Sequence, residues 1–173
     1  CAGTRKILST SGRFGSLASR FHPDLANASI RSHNLRALFW ETQLRFKSNV
    51  YEGFGDVGKR FANAMRAELK SRQWSPETIF FAYDTGALEI FAWLRERGVR
   101  CILDQMDPSR VEVDLVREEH KRWPGWATGT NDVAEAYFVR REQEWALADG
   151  VVVNSEFSRQ ALIAQEVAAE KVM

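Results

Sequence analysis

Apolar residues recur through residues 56–73 at Val57, Phe61, Ala64, Met65 and Leu69, with Lys59, Arg60, Arg66 and Lys70 between them. That period predicts an amphipathic helix, and Ser75-Pro76 ends it, because the residue before a proline is pushed out of the helical region. Thr78–Tyr83 is a short β-rich apolar run, which predicts a buried strand. Gly86–Arg97 turns Leu88, Phe91, Ala92 and Leu94 to one side and so reads as a helix, with Gly98 as its C-terminal stop. Val99–Leu103 is a second strand ending at Asp104. Pro108 then opens a helix that carries Val111, Leu115 and Val116 and runs to Trp123-Pro124-Gly125. After a polar loop over 126–131, a long helix spans Asp132–Leu147, capped by Asn131 or Asp132. Asp149-Gly150 leads into a third strand at Val151–Asn154, and Ser155 caps a helix over 156–165. Ala169–Met173 begins a further strand.

Strands that alternate with helices predict a parallel sheet covered on both faces, a Rossmann-like three-layer α/β/α domain with a mostly parallel sheet. The first third is less patterned: Lys6–Ser9 and Ser29–Ser32 read as short strands and Arg36–Lys47 as a helix. The chain has 173 residues, enough for one domain with a core. Hydrophobic residues at 45% and charged residues at 27% make it globular rather than disordered. No apolar run approaches the ~20 residues that span a bilayer, and no secretory signal is visible. Position 1 is Cys rather than Met, which suggests the interior of a longer reading frame.

Net charge is +1 but unevenly spread: residues 1–60 carry ten Lys and Arg against four Asp and Glu, residues 61–173 fourteen against nineteen. The basic residues Arg31, Arg36, Arg45 and Lys47 are interleaved with Leu35, Leu38, Phe39, Trp40, Leu44 and Phe46. This pattern suits a helix packed on the sheet with snorkelling arginines, and its alternative is docking on an anionic membrane surface. No nucleic-acid partner is expected. Cys101 sits in a strand, so a buried thiol in a reducing compartment is expected.

Gly53-Phe54-Gly55-Asp56-Val57-Gly58 spells G-x-G-x-x-G, but Arg45–Val50 before it is too polar for a central strand, and Asp84 comes late for the ribose-binding acid. A flexible start to the helix explains it better than a nucleotide loop. Walker A, H-E-x-x-H, C-x-x-C and G-x-S-x-G patterns are absent from the sequence, and the three histidines lack ligand spacing, so no metal site is expected. The strand ends carry the candidate chemistry. In open α/β sheets ligands bind outside the carboxyl ends of the strands. Here those ends are Asp84-Thr85-Gly86, Asp104-Gln105-Met106-Asp107, and Asn154-Ser155-Glu156 with Ser158 beyond. Converging on one rim, these clusters would line a cleft.

The stretch Glu142-Gln143-Glu144-Trp145-Ala146-Leu147-Ala148-Asp149-Gly150-Val151-Val152-Val153-Asn154-Ser155-Glu156-Phe157-Ser158-Arg159-Gln160-Ala161-Leu162, with Lys171-Val172 after it, resembles the end of the N-terminal domain of retaining family 4 glycosyltransferases of the GT-B fold. The resemblance extends more loosely back to Thr78. Glu166 stands where that family usually has Gly, and Asp84-Thr85-Gly86 where many members have His or His-Gly. No two glutamates are spaced as the family's E-x7-E. The resemblance implies that residues 1–173 are a single N-terminal, acceptor-side Rossmann-like domain, a fragment lacking the C-terminal nucleotide-sugar domain. The whole enzyme would be a retaining, hexosyltransferase-type transferase of carbohydrate biosynthesis, cytoplasmic or peripheral at the cytoplasmic membrane face. Its donor would be a nucleotide sugar and its acceptor a glycan, lipid or small molecule. The fragment would bind no cofactor and turn over nothing alone. Asp84, Thr85, Gly86, Asp104, Gln105, Asp107, Asn154, Ser155, Glu156 and Ser158 would form the acceptor cleft, with no catalytic residue assigned. The alternatives are a non-enzymatic α/β ligand-binding or interaction module, and half of another GT-B enzyme such as a nucleotide-sugar epimerase.

Overall fold

The apolar runs expected to form strands pair in the order in which they occur. A computed structural model describes Phe39, residues 50–126 and residues 133–173. The chain divides into two units, Cys1–Phe39 and Trp40–Met173. The described elements of the second unit are α1 (Val50–Leu69), β1 (Ile79–Tyr83), α2 (Leu88–Arg95), β2 (Arg100–Gln105), α3 (Arg110–Arg122), α4 (Glu135–Leu147), β3 (Gly150–Val153), α5 (Glu156–Ala164) and a 3-10 turn at Ala169–Lys171. The three strands form a parallel sheet in the order β1-β2-β3. The protein is therefore mixed α/β, an open parallel sheet with helices, as in a Rossmann-like domain.

Parallel register aligns Phe80 with Cys101, Ala82 with Leu103, and Leu103 with Val151 on one face of the sheet. That face packs on Ala62 and Leu69 of α1, Ile90, Phe91 and Leu94 of α2, Trp145 of α4 and Leu162 of α5, making one continuous core. On the opposite face Ile79, Phe81 and Tyr83 are 55%, 52% and 62% exposed, and the Phe81 and Tyr83 rings meet edge to face at 6.5 Å. Consecutive crossovers of one hand, stepping the same way across a sheet, put their helices on the same side. Among the described residues the core therefore lies on one face.

Several boundaries differ from the sequence expectation. The first helix begins at Val50 and ends at Leu69, so the G-x-G-x-x-G run lies within it and forms no flexible start. The second strand runs on through Asp104 and Gln105. Pro108 precedes α3 by two residues, and Ser109 occupies the cap position at φ 57°, ψ −124°. The fourth helix starts at Glu135 after Ala134, and Asn131 and Asp132 lie outside the described residues. The strand expected at Ala169–Met173 reduces to a 3-10 turn and one parallel bridge between Val172 and Val151. The strands expected at Lys6–Ser9 and Ser29–Ser32 and the basic patch Arg31, Arg36, Arg45, Lys47 also lie outside the described residues. So does the helix expected over 36–47, except Phe39, which is helical.

Two helices end in the same motif. After α2, Gly98 N–H bonds Arg95 C=O at 3.0 Å and Val99 N–H bonds Leu94 C=O at 3.2 Å. After α5, Glu166 N–H bonds Ile163 C=O at 3.0 Å and Val167 N–H bonds Leu162 C=O at 3.1 Å. Each is a Schellman cap and needs a left-handed residue, Gly98 at φ 69° and Glu166 at φ 67°. A side chain in that region costs roughly 1 kcal/mol. Glu166→Gly is therefore expected to stabilise the protein by about 1 kcal/mol. A Cβ at Gly98 would meet no atom within 4 Å, so Gly98→Ala should cost a similar amount through the backbone alone. The urea midpoint should move up and down respectively at constant slope.

Candidate functional site

Helix α4 presents Tyr137, Arg140, Arg141, Glu144 and Trp145 to the carboxyl ends of β1 and β2. Residues three or four apart lie on one helix face, so this set points to one side. Most helices begin with a side chain that satisfies their first N–H groups, but α2 has no such cap of its own. Glu144, fully buried, supplies it from across the fold. Its Oε1 accepts from Ala87 N–H and Leu88 N–H, both at 3.0 Å, and its Oε2 from Thr85 N–H at 2.7 Å. Arg140 completes the clamp: its Nε donates to Thr85 C=O at 2.8 Å, and its two Nη groups take the Glu89 carboxylate at 2.8 and 2.7 Å. Burial alone would raise Glu89, but the Arg140 bonds outweigh it and hold that carboxyl below its ordinary value. Burial pushes the Glu144 carboxyl up to about 7 against the pull of Arg140 and the three N–H donors.

The clamp fixes Thr85 at φ 62°, a left-handed conformation rare for a β-branched residue. Helix α1 closes on it from the other side. A Cβ at Gly58 would lie 2.0 Å from Thr85 O, so only glycine lets the helix approach this far. Close packing, rather than phosphate binding, accounts for this last glycine of G-x-G-x-x-G.

One turn along α4, Arg141 is 2% exposed and joins the ends of two strands. Its Nη2 pairs with Asp84 Oδ2 and its Nη1 with Asp107 Oδ1 at 2.8 Å. Gln105, fully buried, donates to Asp84 Oδ2 at 3.0 Å and to Asp107 C=O at 2.9 Å, while its Oε1 accepts from Trp145 Nε1 at 2.7 Å. Asp107 Oδ1 also accepts from Ser109 N–H at 2.7 Å. Burial raises the Asp84 carboxyl, opposed by Arg141 and reinforced by Asp107.

In front of this network lies a cleft of about 460 Å³. Asp84, Thr85, Asp107, Ser109, Glu112 and Arg141 supply its polar wall, and Phe54, Met106, Val113, Val116 and Tyr137 its apolar one. Its size falls in the ~300–1,000 Å³ range of small-molecule sites. Of the residues expected there, Asp84, Thr85 and Asp107 line the cleft, and Gln105 stands behind it as support. Asp104 faces the other side of the sheet, opposite Tyr83 and Val152. Gly86 belongs to the clamped loop. The β3 cluster is turned to structural use. Asn154 Nδ2 donates to Met106 C=O at 3.0 Å, Ser158 Oγ donates to Asn154 Oδ1 at 2.9 Å, and Ser155 Oγ caps α5 through Ser158 N–H at 3.1 Å. Glu156 is exposed and pairs with Gln160 and Arg159 along its own helix.

Tyr137, Arg140, Arg141, Glu144 and Trp145, with Ser109, were not foreseen. Their signal was present, since charged residues at 140, 141 and 144 beside Trp145 place charge on the buried side of a helix. A second hollow of about 620 Å³ lies between α4 and the end of α5, but its polar groups are engaged within the fold. Arg110 binds Glu135 and Glu142, Gln165 binds Pro108 and Ala161, and Lys171 binds Trp145 C=O. Among the described residues, no group of three or more His, Cys, Asp or Glu could hold a metal ion, and no helix is long and apolar enough to cross a membrane.

Removing the Glu144 carboxylate leaves the N–H groups of Thr85, Ala87 and Leu88 without their acceptor, so Glu144→Ala should cost about 3 kcal/mol in urea unfolding. The pH dependence carries a sign. The folded state holds the Glu144 proton up to about pH 7, whereas the ordinary value is 4.5. Its contribution is complete below pH 4.5 and is lost as pH rises to about 7. The stability of the wild type relative to Glu144→Gln should fall across that window and run level above it. The chain matches no family model, no curated protein and no solved structure.

Proposed function

We propose that this chain is the acceptor-side domain of a retaining glycosyltransferase whose donor is a nucleotide sugar bound by a second domain. The observation that carries this reading is the cleft of Asp84, Asp107, Ser109 and Arg141 at the carboxyl ends of parallel strands, where open α/β sheets take their ligands. It is supported by the likeness of residues 142–162 to family 4 glycosyltransferases. Within that segment Glu144, Trp145 and Asp149 each have a folding role. Asp149 Oδ2 accepts Cys101 N–H at 2.8 Å, so its place before β3 sets the sheet register.

The role of the cleft in such a reaction is positional. Carboxylates held rigidly by Arg141 accept hydrogen bonds from acceptor hydroxyls and fix which oxygen faces the donor. The leaving diphosphate and its stabilisation belong to the donor domain. The protein then works in the cytoplasm, with Arg31, Arg36, Arg45 and Lys47 available to an anionic membrane face.

The 173-residue chain is expected to hydrolyse or transfer no nucleotide sugar. The longer protein that contains it should release nucleoside diphosphate in the presence of a carbohydrate acceptor, and Asp107→Asn should reduce that rate at least about tenfold by loosening acceptor position. Absence of sugar transfer by the longer protein across the common nucleotide sugars and an acceptor panel would leave the binding-module reading in its place. Binding of anionic vesicles at low salt, lost at high salt, tests the membrane contact.

A further inference from the structure

The polar wall of the cleft has more acceptors than donors. Asp84, Asp107 and Glu112 bring three carboxylates against one cation, Arg141. Both Nη groups of that arginine are already committed to Asp84 and Asp107. Asp84 enters the network through Oδ2 and Asp107 through Oδ1, so each has a second oxygen for a further donor. Two buried groups here lack a partner among the described residues: the Ser109 hydroxyl and Arg141 Nε. Ser109 is 1% exposed, and a buried hydroxyl left unbonded is costly and uncommon in folded proteins. It also sits at positive φ and, although at the cap position, makes no cap bond. A ligand hydroxyl entering the cleft would satisfy it.

We propose that this cleft binds an amine-bearing polyhydroxyl ring, an amino sugar or aminocyclitol in its ammonium form. The ring hydroxyls bond Ser109 and the second oxygens of Asp84 and Asp107, the ammonium faces Asp107 and Glu112, and the ring's C–H surface lies on Met106 and Tyr137. The excess negative charge disfavours a phosphorylated or carboxylated ring, because like charges brought together in a cleft oppose binding. This inference deepens the acceptor reading and rests on it for the role of the ligand, but binding itself requires no donor domain.

The test is an NMR titration of the 173-residue chain with glucosamine, glucose and glucose 6-phosphate at mildly acidic pH. Glucosamine should bind roughly fivefold more tightly than glucose, as a partly exposed ion pair allows. Glucose 6-phosphate should bind more weakly than glucose. Ser109→Ala should weaken glucosamine and glucose alike by roughly five- to tenfold. Glu112 is exposed and outside the buried network, so Glu112→Gln folds normally and should narrow the preference for glucosamine without altering glucose. Equal affinity for glucosamine and glucose, stronger binding of the phosphorylated ring, or no binding of any of the three overturns the assignment. If glucosamine binds as expected and the longer protein transfers no sugar, the cleft assignment stands and the glycosyltransferase reading falls. If sugar is transferred only to neutral or anionic acceptors, the reverse holds.

Discussion

Glu144 supplies from α4 the cap that α2 lacks. One buried carboxylate takes the N–H groups of Thr85, Ala87 and Leu88, and so ties the loop after β1 to a helix nearly sixty residues later in the chain. Without it, α2 would begin with unsatisfied donors in a dry interior, at a cost comparable to much of a small domain's net stability. Arg140 balances the charge and grips the opposite side of the same loop at Thr85 C=O. The chain between these partners folds into one strand and two helices, α2, β2 and α3. The clamp is a long-range contact that only the assembled topology makes.

The same helix sets the spacing of the strand ends. A guanidinium is a rigid planar fork, and Arg141 places one prong on Asp84 after β1 and the other on Asp107 after β2. Buried ion pairs of this kind repay little in net stability against an apolar alternative. Their effect here is geometric: two carboxylates that would otherwise repel are held at a fixed separation with outward oxygens. Gly58 adds a constraint from behind, since α1 rests against Thr85 with no room for a methyl group. The cleft is thus walled by elements that cannot shift independently.

The strands and most helices were legible because short apolar runs and amphipathic periods are local signals. Ile79–Tyr83, Arg100–Gln105 and Gly150–Val153 each fall within two residues of expectation. Asp84 and Asp107 were legible as strand-end acids. Three features were not. Asp104 reads like its neighbour Asp107, but a strand that continues two residues further turns it to the other face. Asn154 and Ser158 look like site residues, and their hydrogen bonds show them fastening β3 to the loop after β2. The buried charges of α4, Arg141 and Glu144, carry no decisive local mark of burial, because which side of a helix meets the sheet is decided by tertiary packing. At Glu166 the backbone adopts the left-handed conformation that favours glycine despite the side chain.

Cys101 lies in the middle strand, fully buried, its N–H held by Asp149 and its thiol pushed up to about 12 by burial and by that carboxylate. Thiolate is the reactive form, so in the folded protein this sulfur is silent towards alkylating reagents. It gains reactivity only when β2 parts from its neighbours and water reaches it. The rate at which Cys101 is labelled therefore reports how often the sheet opens, and its dependence on reagent concentration distinguishes rapid re-closing from slow, committed unfolding. The fold thus contains its own chemical clock for the integrity of the scaffold on which the cleft is built.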